Sequence, residues 1–253
     1  MKTLTSKKHW NSQYKNRTTG KLVDRLPYRN FIVKQVLDLA KTYFKRDERL
    51  KLLEFGCGNS YWLPLMHKNF KYKVDGIDYS DLGCALAKEM LTKNDINGHI
   101  YNMDFLKINH TLYNTYDICV SFGVVEHFDN PDAIINIFAR TLKDGGIMLT
   151  VIPKLIGIQG FLQRNFNKKI YNMHNIIELK DLINIHERNK LKIIYAKEIG
   201  FAGLGINPGE KLIVQYLYKL FSYLLNRACL FFCFDKIYFR NFGSNYIVIG
   251  QKV

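Results

Sequence analysis

Apolar residues recur at helical spacing across residues 31–44 (Phe31, Val36, Leu37, Leu39, Ala40, Phe44), and the polar run Lys45-Arg46-Asp47-Glu48-Arg49 closes the segment. A helix is predicted there. The pattern then shortens into compact apolar runs, each read as a buried strand: 50–55, stopped by Gly56-Cys57-Gly58; 72–77; 100–102; 116–121; and 147–152, entered through Gly145-Gly146. Helical segments fit between them: 81–94 opens on an acidic residue suited to a first turn, and 131–142 opens on a proline suited to the first helical position. Strands alternating with helices of this length mean βαβ units and a parallel sheet covered on both faces. Beyond Pro153 the pattern loosens into helices at 155–166 and 179–189, a strand at 191–199, a long apolar helix at 210–234 and a last short strand at 246–249. No repeat or low-complexity run interrupts it.

The chain has 253 residues, 47% of them hydrophobic and 23% charged, which suits one large soluble domain and excludes disorder. Its formal net charge of +15 is the unusual feature. Residues 1–50 carry +9, residues 51–153 carry −3 and residues 154–253 carry +9, so the acidic middle lies between basic flanks. A nucleic acid, an anionic membrane surface or an acidic small molecule would each suit such flanks. Five scattered cysteines (Cys57, Cys84, Cys119, Cys229, Cys233) read as thiols of a reducing cytoplasm, and the Cys229/Cys233 pair has no second Cys/His pair to complete a zinc site. The polar start lacks a signal-peptide core, and Lys219, Asn226 and Arg227 interrupt the apolar 212–234 stretch, so no membrane span is expected.

The informative stretch is Leu52-Leu53-Glu54-Phe55-Gly56-Cys57-Gly58-Asn59-Ser60. A strand ending in Gly-x-Gly lets the backbone turn sharply and approach a ligand closely, because glycine has no Cβ and tolerates positive φ. Glu54 precedes the turn, Asp78 ends the second strand twenty residues beyond Gly58, and Asp104 follows the third strand. Taken singly, Gly56 and Gly58 suit an ordinary strand-to-helix turn and Asp78 an ordinary helix cap; four features in register favour a ligand site. A nicotinamide dehydrogenase is the nearest competitor, but the third glycine of its fingerprint is Tyr61 here.

In these motifs residues 50–153 resemble the class I S-adenosylmethionine-dependent methyltransferases, with Ser60 standing where that family usually has a third glycine. The resemblance implies an α/β, three-layer Rossmann-like sandwich with a mostly parallel seven-stranded sheet and an antiparallel last strand. It also implies that Asp78 takes the ribose hydroxyls, that Asp104 takes the adenine amino group with Tyr79, Met103 and Phe105 against its faces, and that Glu54, Gly56, Cys57, Gly58 and Phe122 line the rest of the cofactor site. Trp10 and Tyr14 resemble the family's aromatic lid, and Tyr28 is a further candidate. The cofactor the resemblance implies is S-adenosyl-L-methionine, leaving as S-adenosyl-L-homocysteine; its net positive charge suits the acidic middle segment.

The segment Ser121-Phe122-Gly123-Val124-Val125-Glu126-His127 resembles the fourth strand of the small-molecule branch. It lacks the Asn/Asp-Pro-Pro-aromatic tetrad of nucleic-acid amino methylation and the Pro-Cys of cytosine enzymes, so a nucleic-acid acceptor is disfavoured. Gly123 replaces the first carboxylate of the Glu-x-x-Glu-His metal set found in small-RNA methyltransferases, so no metal is expected. His127 is the first candidate for taking a hydroxyl proton, and His174 the second. The reading divides the chain into an N-terminal helical lid and acceptor region, 1–49, and a methyltransferase domain, 50–253, with acceptor-covering insertions at about 154–190 and 203–242. The expected acceptor is small and anionic: a nucleotide-linked sugar, a phosphorylated metabolite or a surface-polysaccharide precursor, methylated at oxygen. RNA methylation and a non-catalytic cofactor-binding relative are the alternatives. The aromatic 212–239 segment, with Lys219, Arg227, Lys236 and Arg240, is expected to pack within the chain or against a second copy, monomer or homodimer, with peripheral membrane contact left open.

Overall fold

The computed structural model of the protein describes residues 2–15, 17–19, 30–108, 110–209, 212–232 and 242–253. Tyr28, Cys233, Lys236 and Arg240 lie outside the described residues. Seven strands, β1 (Lys51–Phe55), β2 (Lys73–Asp78), β3 (Ile100–Asn102), β4 (Tyr116–Phe122), β5 (Leu142–Pro153), β6 (Leu191–Ile199) and β7 (Asn245–Lys252), form one sheet in the order β3-β2-β1-β4-β5-β7-β6. Strands β1 to β5 are parallel, and β7 runs antiparallel between β5 and β6. That is the expected three-layer architecture with its antiparallel last strand.

Alternation along the strands sorts side chains to two faces. Leu52, Ile118 and Val120 join a core with helices α2 (Phe31–Tyr43), α3 (Trp62–Phe70) and α4 (Asp81–Lys93). Leu53, Phe55 and Cys119 join a second core with α5 (Pro131–Thr141) and α8 (Leu179–Arg188). Local chemistry starts these helices: Ser80 Oγ accepts the Gly83 N–H at 3.0 Å, and Asn130 Oδ1 accepts the Ala133 N–H at 3.1 Å with Pro131 in the first turn. Strand β5 begins at Leu142, five residues before the expected start. The reason is a register shift opposite β4 between Tyr116 and Ile118, which Gly145, at φ +75°, accommodates.

Four further helices complete the described chain: α1 (Lys7–Tyr14), α6 (Gly157–Phe166), α7 (Lys168–Tyr171) and α9 (Leu212–Phe231). Intramolecular packing buries α9 most fully near its end, where Cys229 lies with Leu225 and Leu230 against Phe31 and Leu204, while the Tyr218 hydroxyl ties its first half to Gly203 and Ile206. Elsewhere it presents large apolar residues to solvent, among them Leu212, Tyr216 and Leu224. No helix among the described residues is long and apolar enough to cross a membrane.

The order of strand addition reverses between β1 and β4: β2 and β3 extend the sheet one way, and β4 returns to the other side of β1. In open α/β sheets ligands settle at such a switch point, beyond the carboxyl ends of the strands.

Candidate functional site

At that switch point β1 ends in Gly56, at φ +70°, whose N–H bonds the Ile77 carbonyl at 2.8 Å and ties the turn to β2. Asp78, at the end of β2, is buried; Oδ2 accepts the Gly58 N–H at 2.9 Å and Oδ1 the Ser80 N–H at 2.8 Å. Burial raises the Asp78 pKa, while those N–H groups pull it back. Glu54 is 1% exposed, and its Oε2 has no hydrogen-bond partner. Desolvation pushes its pKa up to about 8 against a bond from Ser60, with the nearby Asp78 charge raising it further. A buried carboxylate oxygen without a donor is costly unless a cation or donor meets it.

The amino-terminal segment closes over this turn. Leu4 N–H bonds the His127 carbonyl at 2.7 Å, Trp10 Nε1 bonds Thr5 Oγ1 at 3.1 Å, Ser80 Oγ bonds Asn11 Oδ1 at 2.6 Å, and Lys7 pairs with Asp81 at 2.9 Å. Tyr14 reaches the glycine turn, where a Cβ on Gly58 would collide with its hydroxyl, and Trp10 stacks beside it at 6.2 Å. Two connected lobes remain. One of about 340 Å³ runs among Trp10, Tyr14, Glu54, Gly56, Cys57, Phe122, His127 and His174. The other, of about 140 Å³, runs among Trp10, Tyr14, Gly56, Asp78, Tyr79, Phe105, Phe122 and His127.

Trp62 stacks on Phe122 at 4.0 Å and fixes the floor. His127 and His174 meet with ring centroids 4.5 Å apart, and the edge of Trp10 stands 5.3 Å from His127. His127 Nδ1 lies 3.0 Å from the Met173 carbonyl and His174 Nδ1 lies 2.6 Å from the Ile170 carbonyl. A carbonyl only accepts, so each Nδ1 carries the proton and each Nε2 is left with its lone pair. Desolvation, aided by His174, lowers the His127 pKa to about 4, and desolvation also lowers that of His174. Beyond the histidines a groove of about 860 Å³ opens along His9, Gln13, Asn167, Lys168, Lys169 and Asn207. It shares His9, Gln13, Ile170 and Asn207 with the larger lobe, so the two are continuous.

Most of the candidates from the sequence therefore meet in one cleft: Trp10, Tyr14, Glu54, Gly56, Cys57, Asp78, Tyr79, Phe105, Phe122, His127 and His174 line it, and Gly58 underlies Tyr14. Met103 and Asp104 line neither lobe. Met103 N–H bonds the Asp78 carbonyl at 2.9 Å, and Asp104 Oδ1 caps a short turn by accepting the Leu106 N–H at 3.0 Å. Sequence reasoning missed Thr5, His9, Gln13 and Arg17, which also face the cleft. For His9 and Gln13 the signal was their i, i+4 spacing beside the Trp10/Tyr14 pair on the same helix.

A family model described as a methyltransferase domain matches residues 26–188. Among curated proteins, the ubiquinone biosynthesis O-methyltransferase, mitochondrial, of Dictyostelium discoideum is 24% identical over 70% of this chain and 62% of its own length. The malonyl-[acyl-carrier protein] O-methyltransferase of Bacillus cereus is 21% identical over 45% of this chain and 41% of its own. The chain thus matches less than two thirds of either relative. Among solved structures, geranyl diphosphate C-methyltransferase from Streptomyces coelicolor superposes with a TM-score of 0.57 at 16% identity, covering 98% of this chain and 97% of that one, a likeness of fold. With the family model spanning more than half of its length, the chain belongs to the methyltransferase-domain family, and it has the class I Rossmann-like fold.

Proposed function

We propose that the protein moves a methyl group from S-adenosylmethionine to an oxygen of a small anionic acceptor, such as a nucleotide-linked sugar, a phosphorylated metabolite or a surface-polysaccharide precursor. The cleft fits the cofactor on two counts. Glu54 Oε2 is a buried acceptor awaiting a donor, which suits an ammonium, and the Gly56–Gly58 turn leaves no Cβ between backbone and ligand. When bound, S-adenosylmethionine supplies a methyl carbon on a sulfonium, open to in-line displacement, so alignment of the reactants carries most of the rate.

In this reading Asp78 holds the ribose hydroxyls, Tyr79 and Phe105 flank the adenine, and Asp104 offers its second oxygen to the adenine amino group. Trp10 and Tyr14 cover the cofactor and exclude water, and an aromatic face favours a sulfonium. His127 and His174 form the acceptor-facing wall at which the hydroxyl proton is lost. The observation that carries the acceptor class is the groove continuous with the cleft: Lys168 and Lys169 lie along it, and Arg17 stands at the lobe it joins. These cations belong to the two basic flanks of the sequence, and amides from Gln13, Asn167 and Asn207 suit sugar hydroxyls or phosphate oxygens. The O-methyltransferases among the relatives support oxygen as the methylated atom.

A panel of nucleotide sugars and phosphorylated acceptors, with a structured RNA as comparison, tests the reading through formation of S-adenosylhomocysteine. Turnover with a phosphorylated small molecule and none with RNA is expected. Turnover with RNA, or with neutral acceptors in preference to their phosphorylated forms, would overturn it.

A further inference from the structure

Among the described residues, Glu126, His127 and His174 each bring one potential metal-ligating atom to within 4.8 Å of the other two. The sequence alone predicts no metal, because Gly123 cannot supply the first carboxylate of a Glu-x-x-Glu-His set. The fold answers that gap from elsewhere: the turn after α7 delivers His174 to the Glu126-His127 pair, 47 positions along the chain from His127.

Three observations support a site over three residues that merely meet. Glu126 is 1% exposed and its Oε2 has no hydrogen-bond partner, an expensive state for a carboxylate that a cation relieves. Both imidazoles are oriented as metal-bound imidazoles are, with Nδ1–H given to a backbone carbonyl (Met173 for one, Ile170 for the other) so that Nε2 remains the ligand. The frame that holds them is rigid: Asn175 N–H bonds the Glu126 carbonyl at 2.6 Å, and Leu4 N–H bonds the His127 carbonyl at 2.7 Å.

We propose that Glu126, His127 and His174 bind one divalent transition-metal ion beside the methyl acceptor. Two imidazole nitrogens and one carboxylate suit zinc, cobalt, nickel or manganese better than magnesium or calcium, which prefer oxygen alone. Bonds of about 2.1 Å place ligand atoms roughly 3.4–4.2 Å apart, so the three donors close in by about an ångström when the ion enters. Three protein ligands leave a coordination position open, as in catalytic rather than structural sites. Gly123, at φ +70° and without a side chain, borders the smaller lobe on that side.

This inference rests on the methyl-transfer reading and refines one step of it. An acceptor hydroxyl on the ion becomes acidic and gives its proton to solvent. Its oxygen then bonds the methyl carbon as the carbon–sulfur bond breaks and the electron pair stays on sulfur.

The test is titration of the metal-free protein with cobalt(II), read by ligand-field absorption and by equilibrium dialysis. One ion per chain is expected, with affinity reduced about tenfold or more by Glu126→Gln and by His174→Ala. His110→Ala, at an exposed histidine, should leave it unchanged. His174 is only partly buried, so its variant tests the site even if Glu126→Gln fails to fold. Absence of stoichiometric binding, or binding that neither variant weakens, would overturn the proposal. Calorimetry with S-adenosylmethionine in metal-free buffer keeps the two claims apart: cofactor binding without cobalt binding sinks the metal site alone, and loss of both sinks the underlying reading.

Discussion

Glu54→Gln should make the cofactor-free protein more stable and a poorer cofactor binder, with the stability gain growing as pH rises. Desolvation holds the Glu54 carboxyl neutral in the fold up to about pH 8, against 4.5 for an unperturbed carboxyl. Between those values the folded chain holds a proton that the unfolded chain has released, so stability falls by about 1.4 kcal/mol per pH unit on account of this group. From about pH 5.5 to about 7.5 that amounts to about 3 kcal/mol. The amide of the variant does not titrate, so the difference in unfolding free energy between variant and wild type should shift by about 3 kcal/mol in the variant's favour over those two units, whatever offset the substitution adds at both pH values. Urea denaturation of both proteins at the two pH values measures it. Titrating groups uncoupled from Glu54, Glu126 among them, affect both proteins alike and cancel. The same carboxyl must ionise to meet an ammonium, so wild-type affinity for S-adenosylmethionine should climb by up to about tenfold per unit below about pH 8. The substitution should weaken binding by about 10- to 100-fold, the worth of a charge-assisted bond. A stability difference that does not move with pH, or unaltered cofactor affinity in the variant, would refute the reasoning.

Gly58→Ala should disturb the lid first: its Cβ collides with Tyr14 and comes within 3.3 Å of Asp78 Oδ2, so cofactor affinity should fall and the amino-terminal segment should become more susceptible to limited proteolysis. Gly76→Ala instead drives a Cβ to 2.6 Å from Cys57 Sγ beneath the turn, an overpacking fault expected to cost about 1–3 kcal/mol of unfolding free energy, read by denaturation. Trp10 covers the cleft, whereas Trp62 in its floor is already buried against Phe122, so Trp10→Phe should remove most of the fluorescence change on cofactor binding. Lys168→Ala with Lys169→Ala should raise KM for a phosphorylated acceptor, more at low salt than at high, while leaving cofactor affinity as it is.

How far the molecule can be read from its sequence follows the reach of the forces involved. Strands buried on both faces appear as short apolar runs, so the parallel sheet is legible, as is the Glu54-x-Gly56-x-Gly58 turn, where close approach demands glycine. Helix α3 announces itself less clearly: Trp62, Leu63, Pro64, Leu65, Met66 and Phe70 are all buried, so no polar stripe marks the helical period. Helix α1 has the opposite difficulty. It buries none of its residues, and hydrogen bonds and a salt bridge to distant residues hold it over the cleft. The meeting of His174 with Glu126 and His127 is tertiary, and no local pattern encodes it. Asp104 is legible as an acidic residue after β3, and the cap it forms shows how one carboxylate can suit a turn and a ligand edge at once.

The central claim is that this cleft binds S-adenosylmethionine through the carboxylate at the end of β2. Isothermal titration of wild type and Asp78→Asn tests it most directly, because the amide keeps the size of the side chain but surrenders the charge that two ribose hydroxyls would share. One cofactor per chain for wild type, weakened about 10- to 100-fold in the variant, is the result expected. Wild type that takes up no cofactor, or a folded variant that binds as tightly as wild type, would contradict the account.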